Sequence, residues 1–218
     1  VPINGMENGK VYWSNWSGLS DVSQFIQVQR GLGASALGIS SVGGTMNMVT
    51  KSTEAQKGGS AYFGIGNDGF RKYSVSFSTG LMDNGWAITF MGSLNTGDGY
   101  VKGTNYEGWT YFGNISKVIN DHHKLSLTAF GAPQWHNQRS TMHYIEDYKN
   151  SPDGGRFNNG YGYINGEAVG SGYGYNYYHK PQVSLNHYWT IDEKSTLTTS
   201  LYGSMATGGG RRARGAMS

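Results

Sequence analysis

Six residues in two polar stretches of the chain have side chains of the types that commonly anchor ligands. Three are aromatic and lie near the N-terminus, and three follow one another closely past the middle: Tyr12, Trp13 and Trp16, and Trp135, His136 and Arg139. Rigid aromatic rings and the guanidinium group offer large contact areas at a low cost in side-chain entropy. We therefore take these six as candidate substrate-binding residues. The alternative interpretation is that the tryptophans only pack one part of the fold against another.

The sequence contains no arrangement of residues that indicates an enzyme. Its 218 residues include no cysteine, which excludes thiolate nucleophiles, thiolate metal ligands and disulfides. No Gly-x-Ser-x-Gly nucleophile elbow occurs. Gly31-Leu-Gly33 lacks the third glycine and the following helix that a dinucleotide-binding loop requires. We expect no catalytic residues and no cofactor.

The six histidines do not show the spacing of a metal site. His122 and His123 are adjacent, so on a strand their side chains point to opposite faces. A chelate on one face of a strand needs ligands two residues apart. The sequence therefore predicts no protein metal site.

The composition is that of a chain rich in β-strands and turns. It includes 35 glycines and 16 tyrosines, while charged residues make up only 14%. Glycine has no three-residue period, which excludes collagen, and the aromatic content is too high for a disordered linker. The net charge of +3 is too small to indicate a nucleic-acid partner.

From about residue 59, apolar and polar residues alternate with a period of two, which is typical of β-strands. In the stretch from Lys72 to Leu81, for example, Tyr73, Val75 and Phe77 share one face. The predicted strands span about 59–66, 72–81, 86–96, 109–119, 124–130, 181–191 and 195–206. Most approach the 9–11 residues with which a tilted strand crosses a bilayer.

The connections between these strands alternate in length. The links 82–85, 120–123 and 192–194 are tight, whereas the links 97–108 and 131–180 are long. Short turns at one rim and long loops at the other are typical of outer-membrane barrels, although the first link, 67–70, is also short.

The two faces of the predicted strands differ in the surroundings that they need. The polar face consists of Ser, Thr, Asn, Gln, Lys and Gly, which suit a wet lumen or a polar plug. The apolar face then meets lipid, and aromatic residues near strand ends suit interfacial girdles. These residues are Tyr73, Trp86, Tyr100, Trp109, Tyr111, Tyr188 and Trp189. The low mean hydropathy of −0.51 is compatible with such a wall, because only alternate residues face lipid.

A glycine-punctuated motif near the N-terminus resembles the end of the plug domain in TonB-dependent outer-membrane receptors. It consists of Val28-Gln-Arg-Gly31, a run of small residues, and Gly43-Gly-Thr-Met-Asn-Met-Val-Thr-Lys51. Two further stretches are similar to a plug loop that points into the lumen and to the start of an extracellular loop. They are Asn4-Gly-Met-Glu-Asn-Gly-Lys-Val-Tyr-Trp-Ser-Asn-Trp16 and Ala129-Phe-Gly-Ala-Pro-Gln-Trp-His-Asn-Gln-Arg139.

The resemblance implies a mainly β fold, in which residues 1–57 are the C-terminal part of a small α+β plug. Residues 58–218 would be the first seven or so antiparallel strands of a 22-stranded transmembrane barrel, with their extracellular loops, so we expect a fragment. It implies structural roles between plug and barrel for Arg30, Gly31, Gly43, Gly44 and Asn47, with Arg30 as an ion-pair partner. The signal peptide and the energy-coupling box of the family are not in this sequence.

The function implied by the resemblance is active import of a scarce nutrient across the outer membrane of a Gram-negative type bacterium. The cargo would be a metal chelate, a cofactor, a glycan or a peptide. The implied partners are the TonB protein, outer-membrane lipid and the nutrient. A SusC-like importer that works with a surface lipoprotein and a non-transporting barrel, such as an adhesin or phage receptor, are the alternatives.

Overall fold

The computed structural model describes residues 3, 10–31, 43–50, 56–139, 142–161, 163–164, 167–168 and 174–211. The run of small residues at 32–42 and the start of the predicted plug loop at 4–9 lie outside the described residues. None of the helices in the described ranges is long and apolar enough to cross a membrane.

The N-terminal part contains two short helices and a two-stranded ribbon. A 3₁₀ turn at Trp13–Trp16 is followed by α1 (Leu19–Val22), and the ribbon pairs β1 (Ser23–Arg30) with β2 (Gly44–Thr50) in antiparallel register. We call residues 11–22, which precede the ribbon, the docking segment.

The rest of the chain is dominated by a twisted run of seven antiparallel strands, here called the wall sheet. Its strands follow one another in space in the order of the sequence. They are β3 (Gly58–Ile65), β4 (Arg71–Leu81), β5 (Trp86–Gly97), β6 (Tyr106–Val118), β7 (His123–Gly131), β12 (Gln182–Thr190) and β13 (Thr196–Ser204). All seven predicted strands are confirmed, with ends that differ by at most three residues.

A bulge interrupts the alternation that the sequence predicts for β4. The pairing with β5 shifts between Ser78 and Leu81. Gly80 has φ +64°, which favours glycine, and the hydroxyl of Thr79 accepts a hydrogen bond from the backbone N–H of Ile88 at 2.9 Å. Thr79 therefore does not continue the apolar face of β4 as the period-two pattern predicts.

The links between the strands are sorted by rim. The turns 82–85, 119–122 and 191–195 lie at one end of the sheet, the short-turn rim. At the opposite end, the long-loop rim, lie the links 66–70 and 98–105 and the stretch from 132 to 181. The sorted links follow from the consecutive antiparallel order and confirm the pattern read from the sequence.

Part of the long stretch forms secondary structure that the sequence did not predict. Strands β8 (Gln134–Asn137), β11 (Tyr175–His179) and β14 (Thr207–Gly210) extend the sheet beyond the wall, with β8 paired to β6 and β11, and β11 to β14. The strand predicted over 195–206 ends at Ser204, two residues before its predicted end, and β14 follows it as a separate strand. The remaining elements are α2 (Ile145–Asn150), a 3₁₀ turn (Gly154–Arg156), and the two-residue strands β9 (Tyr163–Ile164) and β10 (Glu167–Ala168).

In the wall sheet the largely polar face is buried and the apolar face is exposed, whereas a water-soluble sheet buries its apolar face. On the inner face, which meets the docking segment, Ser116 and Asn114 are 0% and 2% exposed. On the outer face, Val75 and Phe77 are more than 50% exposed. Five of the predicted girdle aromatics lie on this outer face and are exposed: Tyr73, Trp86, Trp109, Tyr111 and Trp189. Tyr100 instead lies in the link 98–105, and Tyr188 lies on the inner face.

The buried polar residues of the inner face satisfy one another. Asn114 donates to the hydroxyls of Ser126 and Thr128, both at 2.8 Å, and Ser116 donates to the Asn114 carbonyl oxygen at 2.7 Å. Since buried polar groups are tolerated when they are hydrogen-bonded, this ladder lets the inner face remain polar while it is covered.

Candidate functional site

The docking segment packs onto a small apolar patch of the inner face. The indole of Trp16 is 5% exposed and stacks on Phe130 of β7, with ring centroids 5.8 Å apart. Val22 is also buried. The wall contributes Met91 and Phe112 to the same cluster, and Ala132, which directly follows β7, belongs to it as well. This cluster is the hydrophobic core of the described residues, and it lies between the two predicted domains.

Two polar contacts and one close approach of the backbone fix the same segment to the wall. The Lys72 ammonium group lies 2.7 Å from a carboxylate oxygen of Asp21 in α1. The hydroxyl of Thr110 donates to the backbone carbonyl of Ser17 at 2.8 Å. Gly18, with φ +78°, approaches so closely that an added Cβ would lie 2.4 Å from the Thr110 hydroxyl oxygen. The chain thus needs glycine at this position for both its backbone conformation and the available space.

A cavity of about 430 Å³ lies beside this contact, between the docking segment and strands β3 to β5. Most of its lining side chains carry hydroxyl, amide or carboxylate groups. They include Asp21, Gln24, Ser60, Ser76, Ser78 and Thr89. Apolar side chains, among them Val22, Met91 and Phe112, line the rest, so the cavity has a mixed lining beside the Lys72–Asp21 ion pair.

The structure separates the three N-terminal candidate residues into two kinds. Tyr12 and Trp13 are 54% and 56% exposed, so their rings are accessible to a ligand. Trp16 is buried against Phe130, and the ammonium group of Lys180 lies 5.9 Å from the centroid of its ring. The burial of Trp16 agrees with the packing interpretation of this tryptophan.

Trp135 and His136 are neighbours on β8 and therefore point to opposite faces. Trp135 pairs with Glu107 and Tyr177 on the outer face and stacks on Tyr175, with centroids 6.1 Å apart. The ring of His136 lies on the inner side, where its two nitrogens lie 2.7 Å and 3.3 Å from the side-chain oxygens of Gln134 and Gln138. Only His136 is on the face that also carries the docking segment.

Arg139 belongs to a folded part of the long stretch. Its guanidinium group donates to the backbone carbonyl of Phe157 at 2.8 Å and lies 5.2 Å from the ring centroid of Tyr148. His143 packs edge-on against the rings of Tyr148 and Phe157, with centroids 5.8 Å and 5.1 Å away. Arg139 therefore holds the loop containing α2 together, and it is not in contact with Trp135 or His136 among the interactions of the described residues.

Three links at the long-loop rim are tied to one another, a feature that the sequence did not indicate. The guanidinium group of Arg156 lies 2.7 Å from the carboxylate of Asp68, and the backbone N–H of Asp98 donates to the Asp68 carbonyl at 2.8 Å. Lys102 pairs with Asp153, and the Asn158 amide donates to the backbone carbonyl of Lys102. We call these contacts the loop clamp. The two partners of each ion pair come from different links, so no spacing rule along one segment reveals them.

The residues assigned to plug–barrel roles lie in the β1–β2 ribbon. The backbone N–H of Gly31 donates to Gly43 at 3.3 Å, and Asn47 donates to the side chain of Gln27 on the facing strand at 3.2 Å. Gly44 lies so close to β1 that an added Cβ would be 2.5 Å from the Gln29 carbonyl oxygen. Arg30 is exposed and has no acidic partner within 4.0 Å among the described residues, so the expected ion pair is not seen there.

The fold of this chain is similar to that of part of known outer-membrane receptors. No protein-family model and no curated protein sequence matches the chain. The structure is similar to that of the ferric-catecholate import receptor Fiu from E. coli K12 in its open form, with a TM-score of 0.67 and 16% sequence identity. It is also similar to the ferripyoverdine receptor of the outer membrane of Pseudomonas aeruginosa, with a TM-score of 0.58 and 14% identity.

These alignments cover 86% and 78% of this chain but only 29% and 22% of the two receptors. The chain therefore has the fold of one part of a TonB-dependent receptor, which confirms the fold class predicted from the sequence.

Proposed function

We propose that this chain is part of a TonB-dependent importer in the outer membrane of a Gram-negative type bacterium. Residues 1–57 form the C-terminal part of its plug, and residues 58–218 form the N-terminal part of its barrel wall with external loops. The observation that carries this proposal is the inverted burial of the wall sheet. Its polar face is covered by the docking segment, while its apolar, aromatic-rich face has no covering protein among the described residues.

Lipid is the partner that this outer face requires. Leaving so many large apolar side chains in water would be costly for a monomeric protein. In a bilayer the same side chains face hydrocarbon, and the exposed Trp and Tyr rings near the strand ends lie at the level of the headgroups. The short-turn rim then faces the periplasm, and the long-loop rim faces the exterior.

Cargo binds at the plug apex and the external loops in this proposal. Tyr12 and Trp13 are the exposed aromatic residues of the docking segment, and His136 faces the same side from β8. The two structural neighbours are a ferric-catecholate import receptor and a ferripyoverdine receptor, so a ferric chelate is the first class of cargo to test. The other classes implied by the sequence remain as outcomes of that test.

Transport in this proposal consists of binding followed by gated passage, without a covalent step. The docking segment is held by an ion pair, by hydrogen bonds from Thr110 and Asn95 to Ser17, and by an apolar cluster, and a cavity lies beside them. A pull on the plug by the TonB protein would have to break these contacts to enlarge the cavity into a path.

The experiment that tests the proposal uses the full polypeptide that carries this chain, expressed in its host. Uptake of a radiolabelled ferric chelate is compared in the parent strain, a strain lacking the gene, and a strain lacking TonB. We expect a heat-dependent shift of gel mobility in the outer-membrane fraction and uptake that is lost in both deletion strains. Uptake that persists without TonB, for every cargo class, would refute the importer.

A further inference from the structure

Two histidine side chains from different strands meet near the short-turn rim of the wall sheet. Nδ1 of His123, the first residue of β7, lies 3.1 Å from Nε2 of His187 in β12. The two rings are nearly parallel, with an interplanar angle of 10°, and both side chains are partly buried. His123 is four residues from Leu127 and His187 is two residues from Leu185, so both histidines share the outer face with these leucines.

The surroundings of the pair leave its ring nitrogens facing each other. The indole of Trp189 stacks on His123 with ring centroids 5.5 Å apart. The neighbouring His122 is engaged elsewhere, because its Nδ1 lies 2.8 Å from the backbone carbonyl of Thr190. No carboxylate lies within 4.0 Å of either imidazole among the described residues.

The separation of the two nitrogens matches that of two ligands on one metal ion. Imidazole binds Zn²⁺ and similar ions at about 2.0–2.1 Å. Two such bonds to nitrogens 3.1 Å apart enclose an angle of about 100°. This angle lies between those of square-planar and tetrahedral coordination, and small rotations of the rings would aim both lone pairs at a shared ion.

We propose that His123 and His187 bind a divalent transition-metal ion of the class that prefers imidazole, with Cu²⁺ bound most tightly among Zn²⁺, Ni²⁺ and Cu²⁺. The described residues include no group of three or more His, Cys, Asp or Glu side chains that could hold a metal ion. Within the described residues the site therefore has two protein ligands, and water fills the other positions. Both ligands are needed for tight binding, since one exposed imidazole is a weak ligand.

The position of the pair gives the metal a structural role. Strands β7 and β12 are neighbours in the sheet, but the long stretch at 132–181 separates them in sequence, and the two histidines are 64 residues apart. A cross-link that closes a long loop restricts the unfolded chain. The ion would thus fasten the two strands on either side of the longest link, at the rim where no loop clamp holds them.

The test uses Cu²⁺ alone as the probe, added to the full polypeptide in detergent, and monitors two signals. Isothermal titration gives the affinity and the stoichiometry. Tryptophan fluorescence gives the location, because a paramagnetic ion held beside His123 quenches the emission of Trp189, which stacks on that ring. We expect one tight site, quenching on binding, and recovery when a chelator removes the ion.

Matched variants separate this site from adventitious binding. His123→Gln and His187→Gln should each weaken the affinity at least about tenfold, since loss of even an outer-shell partner of a metal ligand costs 10–100-fold. His122→Gln should leave it unchanged, and Trp189→Phe should remove part of the quenching while binding persists. If either His123 or His187 variant fails to show the heat-dependent gel shift of a folded barrel, the other provides the measurement.

Equal affinity in the parent and in both single variants would mean adventitious binding only and would overturn the proposal. This test is independent of the importer, because it requires neither cargo nor TonB.

Discussion

The ammonium group of Lys72 and the carboxylate of Asp21 form an ion pair across the boundary between the docking segment and the wall sheet. Both side chains are about three-quarters buried, and the shortest distance between them is 2.7 Å. The pair joins α1 to β4, which are 51 residues apart in sequence. It holds the segment at the edge of the cavity between the docking segment and β3 to β5, to whose lining Asp21 contributes.

Removal of one partner should loosen this contact. Lys72→Ala leaves a largely buried carboxylate without its cation, and we expect a loss of about 1–2 kcal/mol, between the values for exposed and buried pairs. Amide hydrogen exchange across residues 17–23 measures the loosening. The charge swap Asp21→Lys with Lys72→Asp should recover part of the protection. Lys117→Ala, which changes a lysine on the outer face, should leave exchange in this segment unaltered.

The three N-terminal aromatic residues should separate into structural and ligand-contacting roles. Trp16→Ala removes the indole that stacks on Phe130, and we expect a loss of about 3–5 kcal/mol in the free energy of unfolding. Tyr12→Ala and Trp13→Ala change exposed side chains and should alter stability by less than about 0.5 kcal/mol.

Cargo affinity provides the second half of that comparison. In the proposed importer, Tyr12→Ala and Trp13→Ala weaken cargo binding by about 1 kcal/mol or more each. Unchanged affinity in both variants, measured by titration with the ferric chelate, would remove these two residues from the binding site without affecting the assignment of Trp16.

Gly18 and Gly31 form a natural pair for separating backbone strain from steric exclusion. Both have φ +78°, but a Cβ on Gly18 would collide with Thr110, whereas a Cβ on Gly31 would meet nothing within 4 Å. We expect Gly31→Ala to cost about 1–2 kcal/mol from the left-handed conformation alone. Gly18→Ala should cost clearly more, and equal losses in urea denaturation would contradict the close packing of Gly18 on the wall.

Breaking the loop clamp should change loop order more than stability. Arg156→Ala removes an ion pair that is half exposed on the arginine side, so we expect a cost of only about 0.2–1 kcal/mol. Proteolysis at the links 66–70 and 98–105 should nevertheless become faster, and added salt should have the same effect on the unsubstituted protein. Lys149→Ala, in the same long stretch but outside the clamp, is the matched control.

Asp192 should be the acid-sensitive group of the short-turn rim. Hydrogen bonds from the backbone N–H of Lys194 and from Ser195 lower the pKa of its carboxyl below the usual value. A lowered pKa means that the contribution to stability is fully present above the unfolded value, near pH 3.8, and is lost as the pH falls through the folded value. A carbon-detected NMR titration of Asp192 checks this direction, and a raised pKa would contradict the turn geometry.

The strands of the wall sheet could be predicted from the sequence because each strand carries its own period-two pattern. Tyr73, Val75 and Phe77 share a face whatever their neighbours are, and each tight turn contains local turn residues. The exception at Thr79–Gly80 is a bulge, which depends on the pairing with β5 and has no signature within β4 beyond one glycine. The β8, β11 and β14 strands were missed because they are short and are stabilised only by one another and by β6.

The candidate site was less predictable, because its contacts join distant segments. Trp16 was recognised as a notable residue, but its partner Phe130 lies in another predicted domain, and only the fold shows that the ring is covered. Trp135 and His136 were grouped because they are adjacent, whereas a strand sends adjacent side chains to opposite faces. The pairing of His123 with His187 has no signature within either strand, because the two residues are 64 positions apart and meet only when β7 and β12 pair.

The loop clamp also determines how an antibody or a phage would recognise the surface of the long-loop rim. Asp68, Asp98 and Arg156 come from three loops, yet they occupy one continuous patch. An antibody against this patch would recognise a composite epitope, and a synthetic peptide that copies any single loop would not compete with it. Escape through one substitution, such as a change at Arg156, would reshape the neighbouring loops as well. Antigenic variation at this rim is therefore expected to occur in coordinated sets of residues rather than loop by loop.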